Sequence, residues 1–476
     1  MNRRALLTSA AAGVTVASVA PAEAEAETQA PHAPNDERHL DTASGRRVLT
    51  SQADAGTVDW SVDLDGAVRA GASVVDGTVF VGDGGGAVHA LDAASGDRER
   101  RYGTGETVRS TPAVDEPLLY VGCDDGRIYT LDVEGGDAPF DADEFGERSP
   151  FETGGPVRSS PTLVPTRDPE TATDALHAVV GSDDGTVRAI DAGTPTTVWE
   201  TDLGDPVRTS TPMSDTVYFG DDGGTVTALD SSDGTVQWVV ETDGAVRSSA
   251  ARADDRVLVG SDGGTLYAIT PSGKIDWTYA TNGPSRSSPT VAAGTVVVGS
   301  DDGYVHAVDA ETGERGWRVE TGDRVRAAPT VAGGTVYAAG DDGVVRALAL
   351  SDGSERWTLG LDAAVRSAPI VADGRLLLGT DDGRFHAVGV GAGTVPTDDG
   401  ERDDRETSGA WSDGSRVRLR TLGHHDRSAT EPPSDDSPLG WEVAVVLLLF
   451  GGIGYLVWTW PHRPRDGQVD PPSRET

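Results

Sequence analysis

Eight arginines recur between Arg69 and Arg366, and each is followed by small residues, a Val-rich run and a turn of the form Gly-x-Asp-Asp-Gly. They are Arg69, Arg109, Arg158, Arg208, Arg247, Arg286, Arg326 and Arg366. A guanidinium offers a planar fork of donors that suits carboxylates and phosphates. Eight of them in equivalent places could therefore bridge to the Asp pairs and stitch neighbouring repeats together. They could equally form an anion-binding mouth, a ring of guanidiniums around a central channel.

Other reactive groups are sparse. Cys123 stands alone and cannot form an internal disulfide. His89, His306 and His386 share one position of the repeat, where Tyr129, Tyr267 and Arg346 stand elsewhere, so they read as interchangeable surface or interblade residues. His424-His425 has no Cys or His at metal-site spacing. The acidic run Asp141-Ala142-Asp143-Glu144-Phe145-Gly146 places Phe where a calcium loop needs oxygen. Neither a Ser-His-Asp arrangement nor a phosphate-binding Gly loop stands out, and no catalytic residue or metal site is assigned.

The elements that carry the arginines follow from their spacing. Successive steps are 40, 49, 50, 39, 39, 40 and 40 residues, a period near forty with strand-like runs inside it. That pattern predicts an all-β chain, a β-propeller of four-stranded blades. In the unit from Arg326, the runs Ala327–Val331, Thr335–Ala338, Val344–Leu348 and Glu355–Trp357 map onto strands A, B, C and D, counted outward from the axis. Asp-Asp-Gly suits the tight B-to-C hairpin because Gly accepts a positive φ. Pro112, Pro161, Pro212, Pro289, Pro329 and Pro369 mark strand A as one with a free side, since Pro cannot donate to a ladder. Trp60, Trp199, Trp238, Trp277, Trp317 and Trp357 stand nine residues before a repeat Arg and read as packing residues between blades. Arg100 and Ser149 replace them in two units. Trp60 belongs to a D strand that precedes the first A strand, and the last unit stops after strand C near Val390. The segment around Thr57 to Leu64 is therefore expected to complete the last blade, giving eight blades with no exposed seam.

Composition and the chain ends suggest a habitat and an address. The net charge is -39, with 78 acidic residues against 39 basic ones and Lys274 as the only lysine. Such a surface repels itself in dilute buffer, but in molar salt the screening length is about 3 Å, so an extreme halophile, archaeal, is inferred. The same charge argues against nucleic acid. Residues 1–26 read as an export signal, twin-arginine-like in Asn2-Arg3-Arg4-Ala5-Leu6-Leu7, with an uncleaved anchor as the alternative. Residues 27–56 are expected to be a disordered N-terminal segment, 57–390 the propeller and 391–438 an acidic flexible linker. Residues 439–461 are expected to form a transmembrane helix, because Val443 to Trp460 is eighteen residues without a charge, with Trp441, Trp458 and Trp460 at its ends. Arg463 and Arg465 then place 462–476 in the cytoplasm and the propeller outside the cell, at the cell membrane.

The stretch Val305-His306-Ala307-Val308-Asp309-Ala310-Glu311-Thr312-Gly313-Glu314-Arg315-Gly316-Trp317 resembles the repeat of the pyrroloquinoline-quinone-type propellers, with Ala-x-Asp-x-x-x-Gly followed by a docking Trp. The likeness runs over residues 57 to 390. It implies membership of the quinoprotein alcohol dehydrogenase-like superfamily, which also holds the non-catalytic BamB-type assembly scaffold, similar in size to this repeat region. A dehydrogenase reading would imply pyrroloquinoline quinone and calcium, and many such enzymes set a vicinal cysteine pair against the cofactor, which a chain with only Cys123 lacks. The expectation is a non-catalytic, membrane-anchored scaffold, a monomeric propeller with no cofactor, whose partner is an unknown envelope or secreted protein. A quinone-dependent dehydrogenase or small-anion sensor using the channel is the alternative. Extra lengths of about nine residues between Asp132 and Ser149 and about ten between Val164 and Ala175 lie in adjacent units and are expected to share one face, as a binding patch or as plain loop drift.

Overall fold

A computed structural model describes residues 55–133, 150–167, 174–194, 196–209 and 215–391. The expected export signal, linker, transmembrane helix and tail all lie outside these residues, as do the parts 134–149 and 168–173 of the two longer connections. Among the described residues no helix is long and apolar enough to cross a membrane.

Among the described residues thirty-one strands form eight antiparallel sheets, seven of four strands and one of three. The three-stranded sheet is the fourth blade, and the stretch 210–214, where its strand A is expected, lies outside the described residues. Within a blade the strands follow chain order, as in Thr290–Ala292, Thr295–Gly299, Tyr304–Asp309 and Arg315–Glu320. Their alternating Val and Ala side chains pack against the next blade, and this burial gives the ring its core. In the third blade the insertion is partly absorbed into longer strands, Thr162–Arg167 and Asp174–Gly181, which pair residue for residue to their tips.

The last sheet confirms the closure. Its order is Val58–Asp63, Arg384–Gly389, Arg375–Gly379, Ile370–Ala372, so the first strand of the chain is the outer strand of the eighth blade. Trp60 lies opposite Ala387 and Val62 opposite Phe385. Asp59 binds the buried Arg375 at 2.5 Å.

Inner strands are linked through the prolines. A Pro has no N–H, but its carbonyl is free to accept, and it does so from a hydroxyl of the preceding blade. Ser73 donates to Pro112 and Thr290 to Pro329, each at 2.5 Å, and Thr330 donates to Pro369. The residue after the repeat Arg has a second duty. Ser110, Ser248 and Ser367 each accept the N–H of the Gly that ends strand B and donate back to its carbonyl, at 2.7 to 3.0 Å.

That same Gly has a packing reason. A Cβ on Gly82, Gly181 or Gly220 would lie 2.2 to 2.3 Å from a methyl of Val108, Val207 or Val246, the residue before the next blade's Arg. Each of these valines is fully buried. The Val therefore keys adjacent blades together and carries the neighbouring Arg to the blade junction.

Candidate functional site: an interlocked ring of Arg and Asp

In the second to eighth blades the first Asp after the x of the turn faces the arginines, and most of the guanidiniums fork across the junctions. Arg158 reaches Asp124 of the blade before it at 2.9 Å and Asp183 of its own blade at 2.6 Å. Arg208, Arg247, Arg286 and Arg366 repeat the pattern on Asp183 and Asp222, Asp222 and Asp262, Asp262 and Asp301, and Asp341 and Asp381. Arg326 holds Asp301 with two bonds, 2.8 and 2.9 Å. Arg69 closes the circle onto Asp381 at 2.8 Å, and Arg109 holds Asp124 at 2.9 Å. The Asp hydrogen bonds push the guanidinium pKa of Arg208, Arg286, Arg326 and Arg366 up further. An open mouth of eight bare guanidiniums is thus not what the chain builds; the arginines are engaged in cross-blade pairing.

Arg326 is the least exposed of the ring arginines, and it and its partner Asp301 have side-chain exposures of 24% and 9%. Replacing Asp301 by Asn is expected to cost about 1 kcal/mol, less in molar salt because the rim of the pair is screened. Urea midpoints at low and high KCl check both the size and the direction.

The second Asp of the turn has a different role, one that residue spacing alone did not suggest. Four positions later, on strand C, a polar side chain turns back onto it. Tyr129 donates to Asp125 at 2.7 Å, Arg346 to Asp342 at 2.6 Å and Arg188 to Asp184 at 2.9 Å, while His306 lies 3.1 Å from Asp302. Gly303 completes one such turn at φ +82°, in the left-handed region that Gly enters at little cost. The three strand-C histidines are therefore not surface residues: His89 and His306 are fully buried and His386 nearly so. In the second, third, sixth and seventh blades the strand-C side chain meets a turn carboxylate.

Burial lowers the pKa of His306 and His386, and in His306 it outweighs the opposing pull of Asp302. These rings stay neutral in the fold while the unfolded chain protonates near the ordinary value of 6.5, so the unfolded state binds more protons there. Stability is therefore full above pH 6.5 and falls as pH drops below it. His306→Gln is expected to flatten this slope in melting temperatures measured across that window.

Blade one departs from the others. Its turn reads Gly82-Asp83-Gly84-Gly85-Gly86, so Gly84 stands where the ring Asp stands elsewhere. Asp83 turns inward instead, 2.9 Å from His89 Nε2, and accepts the N–H groups of Asp65, Gly85 and Ala87 at 2.8 to 3.0 Å. Burial opposes its ionisation, but the bond and charge of His89 and the backbone donors outweigh it and hold the carboxyl below the usual range. Asp65, Asp83 and His89 bring ligand atoms within 4.8 Å of one another. Because the oxygens of Asp83 are already taken, the cluster is a polar clamp and offers a cation little.

The remaining candidate groups do not converge. Cys123 is buried, its thiol pKa pushed up to about 11 by burial, and its Sγ donates to the Glu106 carbonyl at 3.3 Å. With one cysteine in the chain there is no adjacent pair for a quinone cofactor to rest on, and the carboxylates of the ring are committed to arginines. Among the described residues, neither Cys123 nor the ring carboxylates fit a quinone and calcium centre.

The tryptophans dock each blade to the next. Trp277 Nε1 donates to the Ala310 carbonyl at 3.2 Å, Trp317 to Leu350 at 2.8 Å, Trp199 to Ser231 at 3.0 Å and Trp238 to Pro271 at 2.9 Å. Trp60 does the same to Ala93 at 3.2 Å, which binds the eighth blade to the first. Each ring lies on a turn Gly of the neighbour, and a Cβ at Gly96, Gly234 or Gly313 would enter it. Where the series breaks, Arg100 donates to the Val133 carbonyl at 2.8 Å and keeps the contact in a different chemistry. Ser149 lies outside the described residues.

A family model described as outer membrane protein assembly factor BamB matches residues 44–164, 151–253, 241–305 and 301–429. No curated protein matches the chain. Among solved structures, BamB from Moraxella catarrhalis is similar with a TM-score of 0.58 at 20% identity, over 70% of this chain and 99% of that one. The computationally designed Ika8 protein is similar with a TM-score of 0.58 at 16% identity, over 71% of this chain and 100% of its own.

Proposed function

Because the chain belongs to the BamB-type family of pyrroloquinoline-quinone-repeat propellers, we propose that it is a non-catalytic scaffold for protein interaction. It is tethered to the membrane by the apolar stretch Val443 to Trp460 and held outside the cell of a halophile. The observation that carries this reading is the outer rim. Among the described residues the exposed large apolar side chains are Val58, Val198, Val236, Val239 and Ile275, all on outer strands, four of them on the third, fourth and fifth blades. On so acidic a chain, apolar side chains gathered on consecutive blades favour contact with another protein. The partner is an envelope or secreted protein, and no cofactor is required.

Pull-down from envelope fractions in molar KCl tests the proposal. The full chain is expected to retain a partner that the pair Val236→Asp and Val239→Asp loses, with the melting temperature unchanged. Saturable binding of pyrroloquinoline quinone with calcium, together with alcohol-dependent dye reduction, would overturn it in favour of a dehydrogenase.

A further inference from the structure

We propose that the Arg–Asp ring is built one carboxylate short, and that the gap at Gly84 is a binding site for an external carboxylate. Eight arginines share seven ring aspartates, Asp124, Asp183, Asp222, Asp262, Asp301, Asp341 and Asp381. The eighth place is Gly84, between Arg69 and Arg109. Arg158, Arg208, Arg247, Arg286 and Arg366 send Nε to the Asp of the preceding blade and Nη1 to that of their own, while Arg326 puts Nε and Nη2 on the preceding Asp301. Arg69 holds Asp381 in the same way as Arg326 holds Asp301, with Nε and Nη2, but its own blade has Gly84 where the seventh blade has Asp341. Arg109 has no Asp in the blade before it and turns Nε onto Asp124 of its own blade. Both guanidiniums are thereby left with unused donor edges beside the gap.

The surroundings fit that reading. A cavity of about 200 Å³ lies here, lined by Ala67, Arg69, Gly84, Thr107, Val108 and Arg109. The side chains of Arg69 and Arg109 are 40% and 36% exposed, more than the 24 to 33% of the other six. Two forks facing one small gap hold a planar carboxylate by charge-assisted bonds, as the seven aspartates are held. The class of ligand is read from those seven equivalent positions, each of which holds a carboxylate. It comes from a free small acid or from an acidic side chain of a polypeptide.

Gly84 also supplies the test. A Cβ there lies 3.2 Å from the backbone N and O of Ala67 and 3.7 Å from its Cβ, and its φ lies outside the left-handed region, so an Asp requires the backbone at Ala67 to give by a few tenths of an ångström. Gly84→Asp would complete the ring and occupy the gap from within, whereas Gly84→Ala would leave it open. Carbon-13 acetate and N-acetylaspartic acid amide, titrated at constant ionic strength against chloride, are read by line broadening. The wild type is expected to saturate with at least one of them; the amide alone saturating identifies a polypeptide source. Gly84→Asp should weaken that binding by about tenfold or more through its built-in competitor, and Gly84→Ala should not. Should Gly84→Asp fail to fold, Arg109→Gln is expected to give the same loss. Unchanged binding in folded Gly84→Asp or Arg109→Gln, saturation by phosphate alone or no saturable binding in the wild type would each overturn the proposal. Since the readout is acetate at one junction, it stands or falls apart from partner capture at the outer rim.

Discussion

A chain that begins after Leu64 is expected to lose stability on the order of 10 kcal/mol, as much as a whole domain commonly has. The segment it lacks is short, but it is the outer strand of the eighth blade, paired from Val58 to Asp63 with Arg384 to Val388. Three losses coincide. The backbone groups of Arg384–Gly389 lose their partners along one edge. Arg375, only 7% exposed, loses Asp59 and becomes a buried charge without its partner, which by itself costs about 3 to 5 kcal/mol. Trp60 leaves Phe385 and Ala93, so the eighth blade is no longer docked on the first. Urea unfolding with and without the peptide 55–64 added in trans checks the result. The peptide is expected to restore much of the midpoint by strand addition. A truncated chain with the wild-type midpoint would show that the ring does not depend on its seam.

Trp199→Ala is expected to destabilise by about 3 to 5 kcal/mol, the range for removing a large aromatic from a packed site. Trp199 is the most enclosed of the docking tryptophans at 7% exposure, within a cluster that includes Val187, Val207 and Leu229. Its N–H is fixed on Ser231 and its ring rests on Gly234, so no neighbouring side chain can collapse into the space. Arg100→Ala at the equivalent place in the first blade removes chiefly a hydrogen bond to Val133 and should cost about 1 kcal/mol. Thermal melts of the two variants side by side measure the difference. Equal shifts would mean that the ring of Trp199 contributes no more than its N–H.

The repeat made the architecture readable before any coordinates. A period near forty, strand-like runs and a D strand ahead of the first A strand led to eight blades and a seam at Trp60, because each of these depends only on order along the chain. The site was less readable for a physical reason. Which carboxylate an Arg meets depends on the twist between blades, and spacing carries no information about that. The split roles of the two turn aspartates, and the inward strand-C histidines, appeared only when side-chain directions were known. The gap at Gly84 did have a signal. Asp83-Gly84-Gly85 departs from Asp-Asp-Gly, and treating the first turn as one more copy of the motif conceals the one place where a ring Asp is missing.

The seam also fixes an order of events. Asp59 and Arg375 are 316 positions apart, so the first strand to leave the ribosome has no partner until nearly all the blades have been made. Bringing such distant segments together carries a loop-closure cost that grows only slowly with length. The cost is therefore mainly one of waiting. Until that wait ends, the newborn chain is an open crescent with Trp60 and the rim of the eighth blade both unprotected. A cell making this protein must shield those two ends from other copies until they meet.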